Sequence, residues 1–213
     1  MKKTLFGLLL GGSTLLMAMP AFAADQGLYA EVGAGLALLR DSDLTDSTAP
    51  GFVLETDFDN GYLVNAALGT KFGAARVEGE ISYQKNDFDS ASIAGIPGSA
   101  ALSGDVSSLA FLMNGYFHFG GNATFSPFIT AGLGAAKVEV NDLTVVGSVL
   151  PPVSDDDTVF AYQLGAGVDL KLNDAVTVDF KYRYFATSDP ELFITGKAEI
   201  SSHNLMAGVR CTF

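Results

Sequence analysis

Residues 175–186 read AVTVDFKYRYFA, and their types separate by parity. Val176, Val178, Phe180, Tyr182 and Tyr184 are apolar or aromatic, while Thr177, Asp179, Lys181 and Arg183 between them are polar or charged. A period of two belongs to a β-strand, whose successive side chains leave on opposite faces. A helix would spread the same charges around its circumference and keep no apolar stripe. The segment is therefore a strand with one greasy face and one ionised face.

The same split runs through the rest of the chain. Eight extended segments are expected, at residues 27–39, 61–72, 76–86, 106–119, 124–140, 159–172, 175–186 and 198–213. One parity collects Leu28, Val32, Leu36, Tyr62, Val64, Leu68, Phe72, Ile81, Phe111, Met113, Phe117, Ile129, Leu133, Phe160, Leu164, Phe180, Leu205 and Val209, with small alanines between them and no charged residue. The other parity collects Glu31, Lys71, Arg76, Glu78, Glu80, Asp169, Lys171, Asp179, Lys181, Arg183 and Arg210, among many Gly, Ser, Asn and Gln. Five acids meet six bases in this set, although the whole chain carries 24 acidic against 12 basic residues. The excess negative charge must then sit mainly in the connections.

Two architectures accommodate such alternation. In a soluble sandwich or lipocalin-type barrel the apolar set is the core and the charges face water. In a membrane barrel the apolar set faces lipid and the charges face inward. The balanced signs favour the second. Charges shut in a narrow lumen must pair, or their desolvation goes uncompensated, whereas a water-facing set is free to share the chain's acidic bias.

The connections agree. Residues 73–75, 120–123 and 173–174 are short, and residues 40–60, 87–105, 141–158 and 187–197 are long. Long and short in alternation describe a membrane meander, with tight turns in the periplasm and long loops outside. Asp41, Asp43, Asp46, Asp57 and Asp59 crowd the first long loop, and Asp155-Asp156-Asp157 mark the third. The chain therefore reads as all-β: an eight-stranded antiparallel transmembrane β-barrel with four long extracellular loops and short periplasmic turns. Aromatics such as Phe72, Phe119 and Tyr184 fall near strand ends, where interface girdles belong.

Upstream, Lys2 and Lys3 precede an apolar run from Leu5 to Met19, followed by Ala21-Phe22-Ala23. This is the three-part layout of a secretory signal peptide, so residues 1–23 are expected to be removed and residues 24–213 to form the barrel. Loss of Lys2 and Lys3 leaves ten basic residues against 24 acidic ones. Such a chain repels nucleic acid. Cys211 is the single cysteine and makes no internal disulfide.

With these segments in place, several stretches are familiar in order and spacing. Arg76-Val-Glu78-Gly-Glu80-Ile-Ser-Tyr83, Asn114-Gly-Tyr116-Phe-His-Phe119, Pro127-Phe128-Ile-Thr-Ala-Gly132-Leu-Gly134 and Tyr182-Arg183-Tyr184 resemble the third, fourth, fifth and seventh strands of the opacity-type and OmpA-like family of small outer-membrane β-barrels. Residues 202–213, SHNLMAGVRCTF, resemble its last strand. The resemblance covers essentially all of residues 24–213. It implies a bacterial outer-membrane location, contact with outer-membrane lipids and lipopolysaccharide, and Phe213 as the signal read by the barrel-assembly machinery. In so small a barrel it implies a filled lumen more than an open pore, and a monomeric or weakly associating barrel is expected. The family includes surface antigens, adhesins and structural proteins, so a host or surface ligand at the loops is implied too. No periplasmic domain is expected after Phe213, and so no peptidoglycan anchor.

Other chemistry is weaker. Ser202-His203 invites a lipid-modifying enzyme, but adjacent strand residues point apart and make a poor nucleophile–base pair. His118 and His203 belong to opposite ends of the barrel, on the order of 25 Å apart, which argues against a shared metal site. Gly33-Ala-Gly35, Gly132-Leu-Gly134 and Gly165-Ala-Gly167 open no helix, so they are not nucleotide loops but relief of crowding in a narrow barrel. Asp41-Ser-Asp43-Leu-Thr-Asp46 and Asp155-Asp156-Asp157 lack the EF-hand spacing, and loop solvation accounts for them better than Ca²⁺. No catalytic, cofactor-binding or metal-ligating residue is therefore expected. The expected function is a structural or surface-interaction role through the acidic loops. A narrow channel lined by the inner charges is the alternative, and a lipid-modifying enzyme ranks behind it.

Overall fold

A computed structural model describes residues 27–39, 42–46, 53–93, 99–119, 124–146, 151–188, 191–192, 196–197 and 200–213. The expected signal segment and the turn 120–123 lie outside the described residues. Twelve strands follow one another: β1 (Leu28–Leu39), β2 (Ser42–Asp46), β3 (Val53–Phe58), β4 (Gly61–Phe72), β5 (Ala75–Ile93), β6 (Ser99–His118), β7 (Phe125–Val145), β8 (Val153–Lys171), β9 (Val176–Thr187), β10 (Glu191–Leu192), β11 (Gly196–Lys197) and β12 (Ser201–Thr212).

Eight of these close a barrel, in the ring order β5-β4-β1-β12-β9-β8-β7-β6 and back to β5, every neighbour antiparallel. Closure leaves no sheet edge in lipid, where an unpaired peptide group has no water to turn to. The turns are tight where the sequence is short. Phe72 pairs directly with Ala75, and Gly73 between them takes a positive φ of 60° that a side chain would resist. At the next described turn Asn173 Oδ1 accepts from the backbone N–H groups of Ala175 and Val176, closing an Asx turn.

Parity on the strands is parity in space. On β4 buried and exposed residues alternate without a break from Gly61 to Leu68. No residue of the apolar set is buried, and Leu36, Leu68, Phe111, Met113, Leu133, Leu164 and Leu205 are each more than half exposed. The buried residues are instead mostly polar or charged. A soluble sandwich would show the reverse, so the exposed apolar wall is a lipid-facing belt. Along β7 the belt runs from Phe125 to Ala135, which at strand rise and tilt spans about 25 Å, the hydrocarbon thickness. Phe117 and Phe119 pack edge to face at its lower rim, and Tyr62–Tyr83 and Tyr162–Tyr184 pair at its upper rim.

The ring has two unequal halves. β4, β1, β12 and β9 have 12 residues each, enough to cross the membrane and little more. β5, β6, β7 and β8 have 19 to 21 and continue past it. Bulges at Asp87/Ser90, Ser103/Asp105 and Val140/Leu143 mark where they leave the belt. Above the short half, β3 pairs with β5, β2 with β3, β11 with β2 and β10 with β11, and β10 lies beside β8. The wall thus rises into a second tier. Its interior is apolar: Val106, Val138, Val140 and Val159 are buried together, with Leu39, Phe88, Leu143 and Ile200 against them.

This tier corrects the loop reading. Asp155, Asp156 and Asp157 are strand residues, paired with Val140, Glu139 and Val138. On β7 the faces exchange character at Ala136. Above it Lys137 and Glu139 point outward beside Asp156, and Val138 and Val140 point inward. Outside the membrane the outer surface meets water, so charge moves out and apolar residues move in, although Asp155 and Asp157, opposite Val140 and Val138, stay half-buried on the inner face.

Candidate functional site

Among the described residues, the barrel interior is where many charged groups converge. Its inner end centres on Glu31. Arg76 Nη1 stands 3.0 Å from Glu31 Oε2, Arg210 Nη1 3.5 Å from the same oxygen, and Lys181 Nζ 3.8 Å from Oε1. Arg210 also pairs with Asp169, whose Oδ2 lies 3.0 Å from His118 Nε2. The Arg76 guanidinium lies 3.7 Å from the Tyr116 ring centroid, a cation–π contact between two buried groups.

Glu78 is held by hydrogen bonds. It accepts from the Tyr29 and Tyr116 hydroxyls, each at 2.6 Å, and from Asn114 Nδ2 at 3.3 Å. Asn114 Nδ2 also donates to Glu80 Oε2 at 2.8 Å, and Gln163 Nε2 donates to Asn114 Oδ1 at 2.6 Å. Arg183 closes the next layer: its Nη1 donates to Glu80 Oε1 at 2.8 Å and its Nη2 to Ser82 at 3.3 Å. Still higher, Ser202 donates to Gln84, Gln84 to Asn86, and Asn86 to the carbonyl of Ala37. Ala37, Leu63 and Met206, and separately Ala110, Leu112, Ala136, Ala161 and Phe185, then begin the apolar cap.

Burial gives this network its weight. Arg76, Glu31, Glu80, Arg183 and Lys181 have side chains about 1% exposed or less. Desolvating such charges costs several kcal/mol each, and only partners from other strands offset it. Those partners come from β1, β5, β6, β8, β9 and β12, so the network ties the ring across its diameter. Glycine makes room for it. A Cβ on Gly132 would fall 1.9 Å from Asn114 Oδ1, and one on Gly208 would fall 2.4 Å from Asp179 Oδ2.

Of the eleven charged residues expected inside, nine are buried: Glu31, Arg76, Glu78, Glu80, Asp169, Asp179, Lys181, Arg183 and Arg210. Lys71 and Lys171 are corrections. Both are exposed at the short-turn end, and Lys171 pairs with Asp174 at 2.8 Å instead. Parity placed them correctly by face, but they lie at the strand termini, where a long cation reaches water. Asp179 is the reverse case, buried directly across from Asp169 with Oδ2 unpartnered. Tyr29, Asn114, Tyr116, His118, Phe128 and Gln163 were absent from the expected site. Each shares the inward parity of its strand, which was the signal for them. Phe213 ends the chain with its N–H donating to the Leu28 carbonyl, which fastens the last strand to the first.

Ser202 and His203 part company. Ser202 is fully buried against Gln84, whereas His203 is on the lipid-facing side, its Nδ1 2.6 Å from the Tyr182 hydroxyl. Among the described residues no group of three or more His, Cys, Asp and Glu is arranged to hold a metal ion.

A closed eight-stranded barrel, apolar outside and ion-paired within, is the build of an integral outer-membrane protein. The chain belongs to the outer membrane protein beta-barrel domain family, whose profile matches residues 9–213, and it is a protein of the bacterial outer membrane. It is 29% identical over 92 residues to the outer membrane protein PagN of Salmonella typhimurium (strain LT2), an alignment covering 42% of this chain. The chain spans 38% of that relative's length. The crystal structure of Neisserial surface protein A (NspA) superimposes with a TM-score of 0.58 at 18% identity, covering 88% of this chain and 97% of that one. At that identity the likeness is one of fold.

Proposed function

We propose that the protein is a structural or surface-interaction component of the outer membrane, adhesin- or antigen-like, whose recognition surface is the acidic tier that rises beyond the membrane. The observation that carries this reading is the division of labour along the barrel axis. The membrane half is filled by Glu31, Arg76, Glu78, Glu80, Lys181, Arg183 and Arg210, held among themselves. The half beyond it carries Asp155, Asp156, Asp157 and Glu139 on hydrogen-bonded strands, with Asp156 and Glu139 facing outward beside Lys137 and Asp155 and Asp157 half-buried on the inner face. In this reading residues 1–23 direct export, the strand ending at Phe213 is read by the assembly machinery, and the barrel works as a monomer. Catalysis has no support in the separation of Ser202 from His203 onto opposite faces.

The test is binding of cells displaying the protein to host-cell surfaces and extracellular-matrix components, with each outer segment replaced in turn by a short turn. Loss of binding on removing one segment, with the barrel still folded, supports the reading. Equal binding by cells lacking the protein removes it. A narrow channel is the second reading, favoured by the charged lumen alone. Steady planar-bilayer openings that vanish in Glu80→Gln would establish it in place of the first.

A further inference from the structure

The lipid-facing wall is not uniformly convex. Where β1, β12 and β9 run side by side, Ala34 pairs with Ala207 and Ala207 with Phe180, while Leu36 pairs with Leu205 and Leu205 with Tyr182. Two alanines together between larger neighbours leave a groove of about 590 Å³, floored by Ala34 and Ala207 and walled by Leu36, Leu205, Phe180 and Tyr182.

The groove has a polar end. One rung further out, His203 faces lipid, an unusual place for an imidazole. Its ring lies 5.9 Å from that of Tyr182 and 5.4 Å from that of Tyr184. The Tyr182 hydroxyl and His203 Nδ1 are hydrogen-bonded at 2.6 Å; with the hydroxyl as donor, Nε2 is the nitrogen that carries a proton. His203 pairs with Leu38, one residue from the outer end of β1, so this donor sits where hydrocarbon gives way to head groups.

We propose that the groove binds one acyl chain of lipopolysaccharide, with His203 Nε2–H donating to an ester, amide or phosphate oxygen at the top of that chain. Position chooses the occupant. The wall is continuous with the lipid-facing belt, so hydrocarbon covers it, and the donor is at the long-loop rim, where the outer leaflet is lipopolysaccharide. The aromatic pair fixes the imidazole, so the donor is oriented before the lipid arrives.

The test is native mass spectrometry of the full barrel, released from cells in mild detergent and also reconstituted with lipopolysaccharide or with phosphatidylethanolamine. The expected result is one retained lipopolysaccharide per barrel. Retention should fall about tenfold in Ala34→Phe/Ala207→Phe, which fills the groove, and measurably in His203→Phe, which keeps the ring and removes the donor. Ala131→Phe, on β7, is the control and should retain lipid as the native chain does. Heat-modifiable migration checks that each variant is folded. If the double variant fails that check, Ala207→Leu alone is read. Equal retention by the filled and native barrels overturns the proposal. So does equal retention of phosphatidylethanolamine, or a dimer of barrels that disappears when the groove is filled.

Discussion

Arg183 on β9 and Glu80 on β5 meet at 2.8 Å across the lumen, with both side chains removed from solvent. They lie 103 residues apart in sequence. The pair therefore forms only when the ring is nearly closed, and it records closure more than it drives it.

Removing one partner is expected to hurt more than removing both. Glu80→Ala leaves the Arg183 guanidinium buried without its carboxylate, at a cost of about 3–5 kcal/mol. Glu80→Leu combined with Arg183→Met should recover much of that loss. Urea unfolding of barrels in lipid vesicles, followed by gel migration, measures both.

The outer wall is expected to reject charge. Ile129 is 51% exposed, to lipid, near the middle of the β7 belt. Ile129→Arg should cost about 2–4 kcal/mol in the same assay. Lys137→Leu, above the belt, should leave the unfolding midpoint where it is.

Glycines on the two faces should differ. A Cβ on Gly134 would fall 1.9 Å from the Phe111 carbonyl oxygen, which cannot move aside, so Gly134→Ala should destabilise by about 1–3 kcal/mol. A Cβ on Gly79 meets only Met113 Sδ at 3.8 Å. Gly79→Ala should be neutral or stabilise by up to about 1 kcal/mol, as the unfolded chain loses freedom.

A pH effect is expected at the inner turn. Lys171 donates to Asp174 at 2.8 Å and holds its carboxyl below the usual aspartate value of 3.8. A carboxyl lowered by folding adds stability that is present above its unfolded pKa and is lost as pH falls through the folded value. NMR titration should find Asp174 below 3.8, and Lys171→Met should return it there. Because the turn is fully exposed, the pair should matter little to global stability.

The eight barrel strands were legible because a period of two survives any tilt or curvature, and the charges along 175–186 made it unmistakable. The inner charged set and its amide company were legible for the same reason, and the same parity places Tyr29 and Tyr116 beside them. What parity does not show is height. Lys71 and Lys171 share the face of Glu31 and Asp169 but lie at the rim, and only pairing register separates rim from middle. The second tier was hidden by a change of solvent. Once β7 leaves the membrane its apolar residues turn inward, and Lys137, Glu139 and Asp156 become good outer residues for a strand. Composition that reads as a loop in one surrounding is sheet in another.

The second tier also determines what an immune system would meet. Because β2, β3, β10 and β11 are stitched by backbone pairing to strands that pass through the membrane, chain segments distant in sequence run next to each other in the second tier. Antibodies raised against short linear peptides from these regions would meet their targets in another shape. Those raised against the assembled barrel would depend on its staying whole.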